Sequence, residues 1–277
     1  MTALIITGLV IIMIIIYFTV MNKVFYNEFK KRADQIIIEA GKQDSNPITE
    51  DDLSALPEIV ARYIRFSGLV RLKRMSSMRI IHSGTFKPGV NKKFMPVSGE
   101  YFLTTKKPSF CWYGKVSMMP GLSFTAFDSY YNGHGRMIVK LLSAFKVVDS
   151  DSDQTGLSAF GRCIAEMTLV PSFFLDKDKI KWISSDSTKA ECRITDSGMI
   201  TNAILYFNED GSLDKISVDR YFERNKGEVT LEKFTGKGHD IKDFNGLRLA
   251  SVVDGYWNLK EGDLHYVHFN IDKAESN

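Results

Sequence analysis

The sequence of this 277-residue chain predicts an α+β fold that is mainly antiparallel β, with one N-terminal transmembrane helix and a sheet of about ten or eleven strands on which helices pack. Three observations support this. The first 22 residues carry no charge, the apolar period changes from about 3.6 to 2 near Arg74, and turn-forming pairs such as Asp210-Gly211 and Asn245-Gly246 separate the later segments. A composition of 44% hydrophobic and 25% charged residues excludes wholesale disorder, collagen and coiled coil.

Residues 1–22 form the predicted transmembrane anchor. The apolar run over 4–20 is interrupted only by Thr7, Gly8 and Thr19. At about 1.5 Å per residue, a helix of about 20 residues spans roughly 30 Å, the thickness of the hydrocarbon core. A cleaved secretory signal is the alternative, but no basic residue precedes the run and no small-residue cleavage site follows it. The sequence therefore predicts a single-pass protein of the cell membrane.

The charge distribution indicates orientation and partners. Lys23, Lys30, Lys31 and Arg32, opposed by Glu28, contribute 4 − 1 = +3, which equals the net charge of the whole chain. The positive-inside rule then places the bulk of the chain in the cytoplasm, with an extracytoplasmic domain as the alternative. A neutral remainder does not favour nucleic acid, whose phosphates require several Lys and Arg contacts. The bilayer is the predicted partner, with anionic head groups at the basic cluster or with the cluster as a plain flank of the anchor.

Beyond the anchor, the sequence predicts a juxtamembrane helical stalk over 23–56 and a β-rich domain over 57–277. Residues 57–66 and 155–170 have the period of amphipathic helices, and Arg162 and Glu166 share one face of the second. The strands alternate with period 2, and short links make neighbouring strands antiparallel. They are expected at 78–86, 100–105, 110–115, 123–130, 179–185, 188–195, 199–207, 215–221, 229–234, 248–257 and 264–271.

The sequence predicts no metal and no cofactor. Histidines stand at 82, 134, 239, 265 and 268, and cysteines at 111, 163 and 192, without a recognisable ligand spacing. His265 and His268 are three residues apart, and on a regular strand an odd separation sends two side chains to opposite faces. Motifs of nucleophilic catalysis are absent as well, so the sequence favours, without deciding, a protein that is not an enzyme.

Several stretches resemble an uncharacterised bacterial family whose members carry an N-terminal membrane segment ahead of a domain of unknown function. These stretches are PEIVARYIRF at 57–66, PSFCWYGKV at 108–116, DSYYNGHGRM at 128–137, GRCIAEMTLVP at 161–171, WISSDSTKAECRI at 182–194 and NGLRLASVVDGYWNLKEGDLHY at 245–266. The resemblance implies no established activity. By analogy it implies the strongly curved half-barrel sheet of the lipoprotein carriers LolA and LolB, whose concave face holds acyl chains under helices.

A ligand site is suggested by the aromatic residues, which are clustered in predicted strands. Adjacent aromatics on a strand point to both sides, so either both faces are covered or one face lines a groove that excludes water. The first hypothesis is that the concave face binds a lipid or another apolar ligand. The predicted lining comprises Trp112, Phe124, Tyr131, Trp182, Tyr206 and Trp257, with Arg162 and His134 as polar handles.

Two other functions remain open. A scaffold that docks another membrane protein predicts a filled interior and an exposed apolar patch. A hydrolase predicts that acids such as Asp128, Glu166 and Asp186 converge in the folded chain.

Overall fold

The computed structural model describes residues 1–41, 46–225 and 228–276. In this part of the chain the helices are α1 (Thr2–Ala40), α2 (Glu50–Leu53), α3 (Glu58–Phe66) and α4 (Asp153–Glu166), followed by 3₁₀ helices at Met167–Leu169 and Pro171–Leu175. The strands are β1 (Ser77–Phe86), β2 (Met95–Thr104), β3 (Ser109–Met119), β4 (Leu122–Tyr131), β5 (His134–Leu141), β6 (Phe145–Ser150), β7 (Ile180–Ser185), β8 (Lys189–Asp196), β9 (Met199–Phe207), β10 (Leu213–Asn225), β11 (Glu228–Phe244), β12 (Leu247–Leu259) and β13 (Gly262–Ser276).

These strands form one antiparallel sheet that curls into a half-barrel, which confirms the predicted fold class. The strand order is β6-β5-β4-β3-β2-β1-β13-β12-β11-β10-β9-β8-β7. The sheet therefore consists of two meanders, β1 to β6 and β7 to β13, joined where the first strand pairs with the last. The helix α4 and the two 3₁₀ helices come between the two meanders along the chain.

The sheet has thirteen strands rather than the predicted ten or eleven. The two strands that the sequence did not predict are β5 and β6. On β5, Ile138 is buried with residues of α1, while Met137 and Val139 line a cavity on the opposite side of the sheet. A strand covered on both faces lacks the apolar–polar alternation that reveals a half-exposed strand.

The inner face of the sheet is the face that carries Trp112, and α4 packs against it. Gly135 on β5 allows the backbone of α4 to approach the sheet very closely, because a Cβ atom at this position would lie 2.6 Å from the carbonyl oxygen of Thr155. Ser152 caps the helix by accepting a hydrogen bond from the Thr155 amide. The helix begins at Asp153, two residues before the predicted start, and its α-helical part ends at Glu166.

The outer face is covered at one end by the second half of α1. Phe25, Phe29 and Ile36 are buried on one side of the helix and pack against a patch of outer-face residues on β2 to β5. The patch comprises Phe102, Cys111, Phe127 and Ile138. The segment predicted as a stalk is thus helical to Ala40 and lies along the sheet, while its residues 42–45 fall outside the described residues.

The first half of α1 is apolar and uncovered. An 18-residue window of this helix has a mean hydropathy of 2.8 and no part of it is buried in the protein. The hydroxyls of Thr7 and Thr19 donate to the carbonyl oxygens of Ala3 and Ile15, so the helix satisfies them internally. Length and composition fit a membrane anchor or a signal sequence.

A β-bulge in β13 overturns the expectation for His265 and His268. Gly255 pairs with Val267 and Tyr256 pairs with His265, so Tyr266 is an extra residue in the ladder. The inserted residue changes the alternation between positions 265 and 268. The two histidines therefore lie on the same, outer face, and the prediction of opposite faces was wrong.

A ligand-sized cavity on the inner face

A cavity of about 450 Å³ lies between the inner face of the sheet and α4. This volume falls within the range of about 300–1,000 Å³ that small-molecule sites occupy. Most of its wall is apolar and comes from strands of both meanders. Wall residues include Val97, Leu103, Val116, Phe124, Ala126, Val139, Leu249 and Val267.

Three of the predicted lining residues lie on this wall. Trp112 and Phe124 contribute apolar surface from β3 and β4, and Arg162 reaches the cavity from α4. Trp112 is almost completely buried, and its indole faces Arg162, whose guanidinium carbon lies 4.8 Å from the ring centre. Whether these side chains contact a ligand stays a prediction.

Three other predicted residues do not face the cavity. Tyr131 lies on the outer face, where its hydroxyl donates to Glu39 of α1. Tyr206 lies beside Lys215 on the outer face, and the lysine amine is 4.8 Å from its ring centre. His134 is exposed at the start of β5. The two tyrosines were assigned by residue type, but the strand alternation turns Tyr130 and Leu205, not their tyrosine neighbours, toward the core.

The remaining two tryptophans are part of the core beside the cavity rather than of its wall. Trp182 packs near Phe174, with ring centres 6.5 Å apart. Trp257 is buried between Phe222 and Phe234, at ring-centre distances of 5.0 and 5.1 Å. Core packing, which was the alternative explanation of the aromatic residues, accounts for both.

Arg162 organises a cluster of polar side chains in the cavity wall. Its guanidinium donates to Glu166 at 2.8 Å, to Asp128 on β4 and to the hydroxyl of Tyr101 on β2, and it lies over three aromatic rings. The Arg162, Asp128 and Glu166 side chains are only 11–18% exposed. The predicted Arg162–Glu166 pair is therefore confirmed, and its two additional partners fix α4 to the sheet.

One carboxylate oxygen of Glu166 accepts no hydrogen bond from the described residues. Its Oε1 atom accepts hydrogen bonds from Arg162 and from Tyr101, the latter at 2.7 Å, whereas its buried Oε2 atom has no partner among the described residues. Burial raises the pKa of this carboxyl, and the neighbouring Arg162 opposes the rise. A buried acceptor without a donor is unfavourable, so this atom is suited to a hydrogen-bond donor on a ligand.

Arg220 on β10 is a cavity residue that the sequence analysis missed. Arg220 is 9% exposed, its Nε donates to the carbonyl oxygen of Ser158, and within the described residues no carboxylate lies at salt-bridge distance. Burial and the like charge of Arg162 lower the pKa of Arg220 to about 10. A signal was present in the sequence, because Arg220 occupies the same alternating phase of its strand as the buried Ile216 and Val218.

The acids of the hydrolase hypothesis converge only in part. Asp128 and Glu166 meet at Arg162, but Asp186 lies in the turn between β7 and β8, where it accepts hydrogen bonds from the amides of Thr188 and Lys189. Asp186 is therefore a turn residue. Both convergent acids are engaged by Arg162, which leaves the spare oxygen of Glu166 for a ligand.

Buried His82 holds the indole of Trp112 in place. Its Nε2 accepts a hydrogen bond from the indole nitrogen of Trp112 at 2.9 Å, and its ring centre lies 4.1 Å from that of Phe269. Burial, followed by the charge of Arg162, lowers the pKa of His82 to about 3. An acceptor nitrogen must be unprotonated, so the fold requires neutral His82.

We expect the free energy of unfolding to fall as the pH is lowered from about 6.5, the ordinary pKa of histidine, toward about 3. The unfolded chain binds the proton in this range and the folded chain does not. Urea unfolding of the full chain in detergent micelles at a series of pH values measures how steeply the free energy of unfolding depends on pH. His82→Gln retains a hydrogen-bond acceptor and should make this dependence less steep, whereas His134→Gln should leave it unchanged. Equal slopes for wild type and His82→Gln would contradict the assignment.

Comparisons with solved structures show low similarity to a DUF1329 family protein from Desulfovibrio piger (10% identity, TM-score 0.42, covering 84% of this chain and 94% of that one). A putative outer membrane lipoprotein-sorting protein domain from Vibrio parahaemolyticus is 9% identical, with a TM-score of 0.38, and the match covers 73% of this chain and 86% of that one. A LolA superfamily protein from Nitrosomonas europaea is 10% identical, with a TM-score of 0.36, and the match covers 79% of this chain and 92% of that one. No curated protein matches significantly. A family model matches residues 46–269, and the chain therefore belongs to the Family of unknown function (DUF6544).

Proposed function

We propose that this protein is a membrane-anchored binding protein that holds a lipid or another apolar ligand in the inner-face cavity. The observation that carries the proposal is the hollow of about 450 Å³, which is apolar along most of its wall and has Arg162, Glu166 and Arg220 among its lining residues. A scaffold with a filled interior would not need this hollow. Burial of an acyl chain here would remove apolar surface from water, which contributes a favourable free energy of roughly 25 cal/mol per Å² of buried surface.

The ligand's polar end is proposed to meet Arg220. A buried cation without a carboxylate partner is unfavourable, and an anionic head group would compensate it. The guanidinium of Arg220 lies over the rings of Phe234 and Trp257, and its carbon is 4.6 and 4.9 Å from their centres. A long-chain carboxylic acid or an acidic lipid has the required combination of charge and apolar tail.

The mouth of the cavity is proposed to face the bilayer. The hydroxyl of Ser143 in the β5–β6 turn donates to Asn22, and the ring centre of Phe145 lies 6.2 Å from that of Phe18 in the apolar part of α1. The adjacent hairpin ends expose large apolar side chains at this end of the sheet. They are Val90, Phe94, Met118, Met119, Phe145 and Val147.

Photo-crosslinking of the full chain in proteoliposomes tests the proposal. A fatty acid with a diazirine in its tail should label peptides of β3 and β4 in addition to α1. Ala126→Trp places an indole in the cavity, and we expect it to reduce β3–β4 labelling by more than about tenfold, the equivalent of about 1.4 kcal/mol of binding. Labelling of the apolar first half of α1 provides an internal reference.

Two variants serve as controls. Ile200→Trp introduces the same indole at an exposed position of β9 and should leave labelling unchanged. Arg220→Met should reduce labelling by the fatty acid but not by a matched diazirine fatty alcohol, whereas Arg220→Lys should retain both. Labelling of the wild-type chain confined to α1 would reject the ligand cavity, and equal loss of acid and alcohol in Arg220→Met would reject the head-group assignment.

A further inference from the structure

Three histidines converge on one aspartate on the outer face of the sheet, the face opposite to Trp257. Asp254 of β12 has its Oδ1 atom 2.8 Å from both His265 Nε2 and His268 Nδ1, and its Oδ2 atom 2.8 Å from His239 Nε2. The strands β11, β12 and β13 each supply at least one of these residues. The cluster is held by the sheet itself and not by a loop.

The cluster is accessible from solution although its carboxylate is protected. The three histidine side chains are 34–43% exposed, and that of Asp254 is 10% exposed. The carboxylate thus faces three imidazole nitrogens that an ion in solution can reach.

We infer that Asp254, His265 and His268 form a binding site for a divalent transition-metal ion such as Zn²⁺. One oxygen and two ring nitrogens lie within 4.8 Å of one another, and small side-chain rotations bring them to metal–ligand distances of about 2.0–2.2 Å. Two imidazoles and one carboxylate suit zinc and its neighbours in the first transition series, whereas Mg²⁺ and Ca²⁺ prefer oxygen alone. Three protein ligands leave a fourth position for water or a ligand atom.

The surrounding residues hold the ligands in place. The ring of His265 stacks on Tyr256, with centres 4.6 Å apart, and meets the edge of Phe94 at 5.2 Å. His239 holds the second oxygen of Asp254 and so orients the first toward His265 and His268. His239 is therefore a positioning residue, comparable to the outer-shell partners of known metal sites. The bulge at Tyr266 is what aligns the two histidines on one face.

Equilibrium dialysis of the full chain against Zn²⁺ tests this inference. The chain is purified in detergent micelles with a tag that contains no histidine, and it is stripped with a chelator before loading. We expect about one equivalent of zinc per chain by elemental analysis, and a Co²⁺ form with the visible absorption of a nitrogen-ligated site. Mg²⁺ at the same concentration should not compete.

Matched variants identify the ligands. Asp254→Asn, His265→Phe and His268→Gln should each weaken zinc binding by more than about a hundredfold, and His239→Gln by about tenfold, the lower limit for a residue that positions a ligand. His265→Phe keeps the ring between Tyr256 and Phe94, and thermal unfolding in chelator checks that every variant is folded. His134→Gln, another exposed histidine, should bind like wild type. Binding well below one equivalent in wild type, or a loss in His134→Gln equal to that in His268→Gln, would overturn the inference.

Discussion

Replacing Arg162 by Met is expected to lower the free energy of unfolding by about 3–5 kcal/mol, because it removes one partner of a buried ion network and leaves the other charges uncompensated. Asp128 and Glu166 would remain between β4 and α4 without their common cation. Tyr101 would lose the guanidinium that now donates to its hydroxyl. Urea unfolding of the full chain in detergent micelles measures the change.

Charge neutralisation separates loss of the ion network from loss of packing. If the uncompensated carboxylates cause the destabilisation, adding Asp128→Asn and Glu166→Gln to Arg162→Met should restore a large part of the stability. Arg65→Met is the matched control, since this arginine of α3 forms ion pairs with Glu50 and Glu58 at an exposed position and should contribute less than about 1 kcal/mol. An Arg162→Met effect no larger than that of Arg65→Met would contradict the central role of the network.

The elements with a clear period were predictable from the sequence. The helix α3 has buried Ile59, Val60, Tyr63 and Ile64 on one side, which is the pattern read from residues 57–66. The alternation of β8, with Ala190, Cys192 and Ile194 buried, was equally plain. Local period was sufficient in these segments because one face of each element is exposed to water.

The cavity wall was only partly predictable, because β3 and β4 are covered on both faces. Trp112 faces the cavity while its neighbour Cys111 lies under α1, and an aromatic run gives no sign of which alternate set is inner. Choosing by aromatic type placed Trp112 and Phe124 correctly on the wall but also selected Tyr131, which faces outward. Arg220 shares the inner phase of β10 with Ile216, Val218 and Phe222, but its charge conceals this in the sequence.

The histidine cluster could not be predicted from sequence separation. Its alignment depends on one inserted residue in the β12–β13 ladder, and bulges follow from register between distant strands. His239 adds a third strand, so the cluster combines residues separated by up to 29 positions in the chain, from 239 to 268. Only the pairing of β11, β12 and β13 brings these side chains to one carboxylate.

Replacing Phe29 by Ala is expected to detach the second half of α1 from the sheet. Phe29 is fully buried among Phe102, Tyr113 and Phe127, and removal of a buried phenylalanine side chain costs about 3–5 kcal/mol. The helix is joined to the outer face through a small cluster, so this loss should open it locally before the sheet unfolds. Hydrogen exchange of the amides over 24–40 in nanodiscs should become much faster, with little change in β8 and β9.

Val24→Ala provides the control on the same helix, because this side chain is 53% exposed and its truncation should leave exchange unchanged. The docked helix also fixes the position of the apolar segment relative to the sheet, through the hydrogen bonds that Ser143 and Tyr113 donate to Asn22. Phe29→Ala should therefore reduce fatty-acid labelling of β3 and β4 in proteoliposomes while leaving the cavity intact. Faster exchange with undiminished labelling would mean that ligands reach the cavity without this docking, and unchanged exchange would mean that the outer-face cluster does not hold the helix.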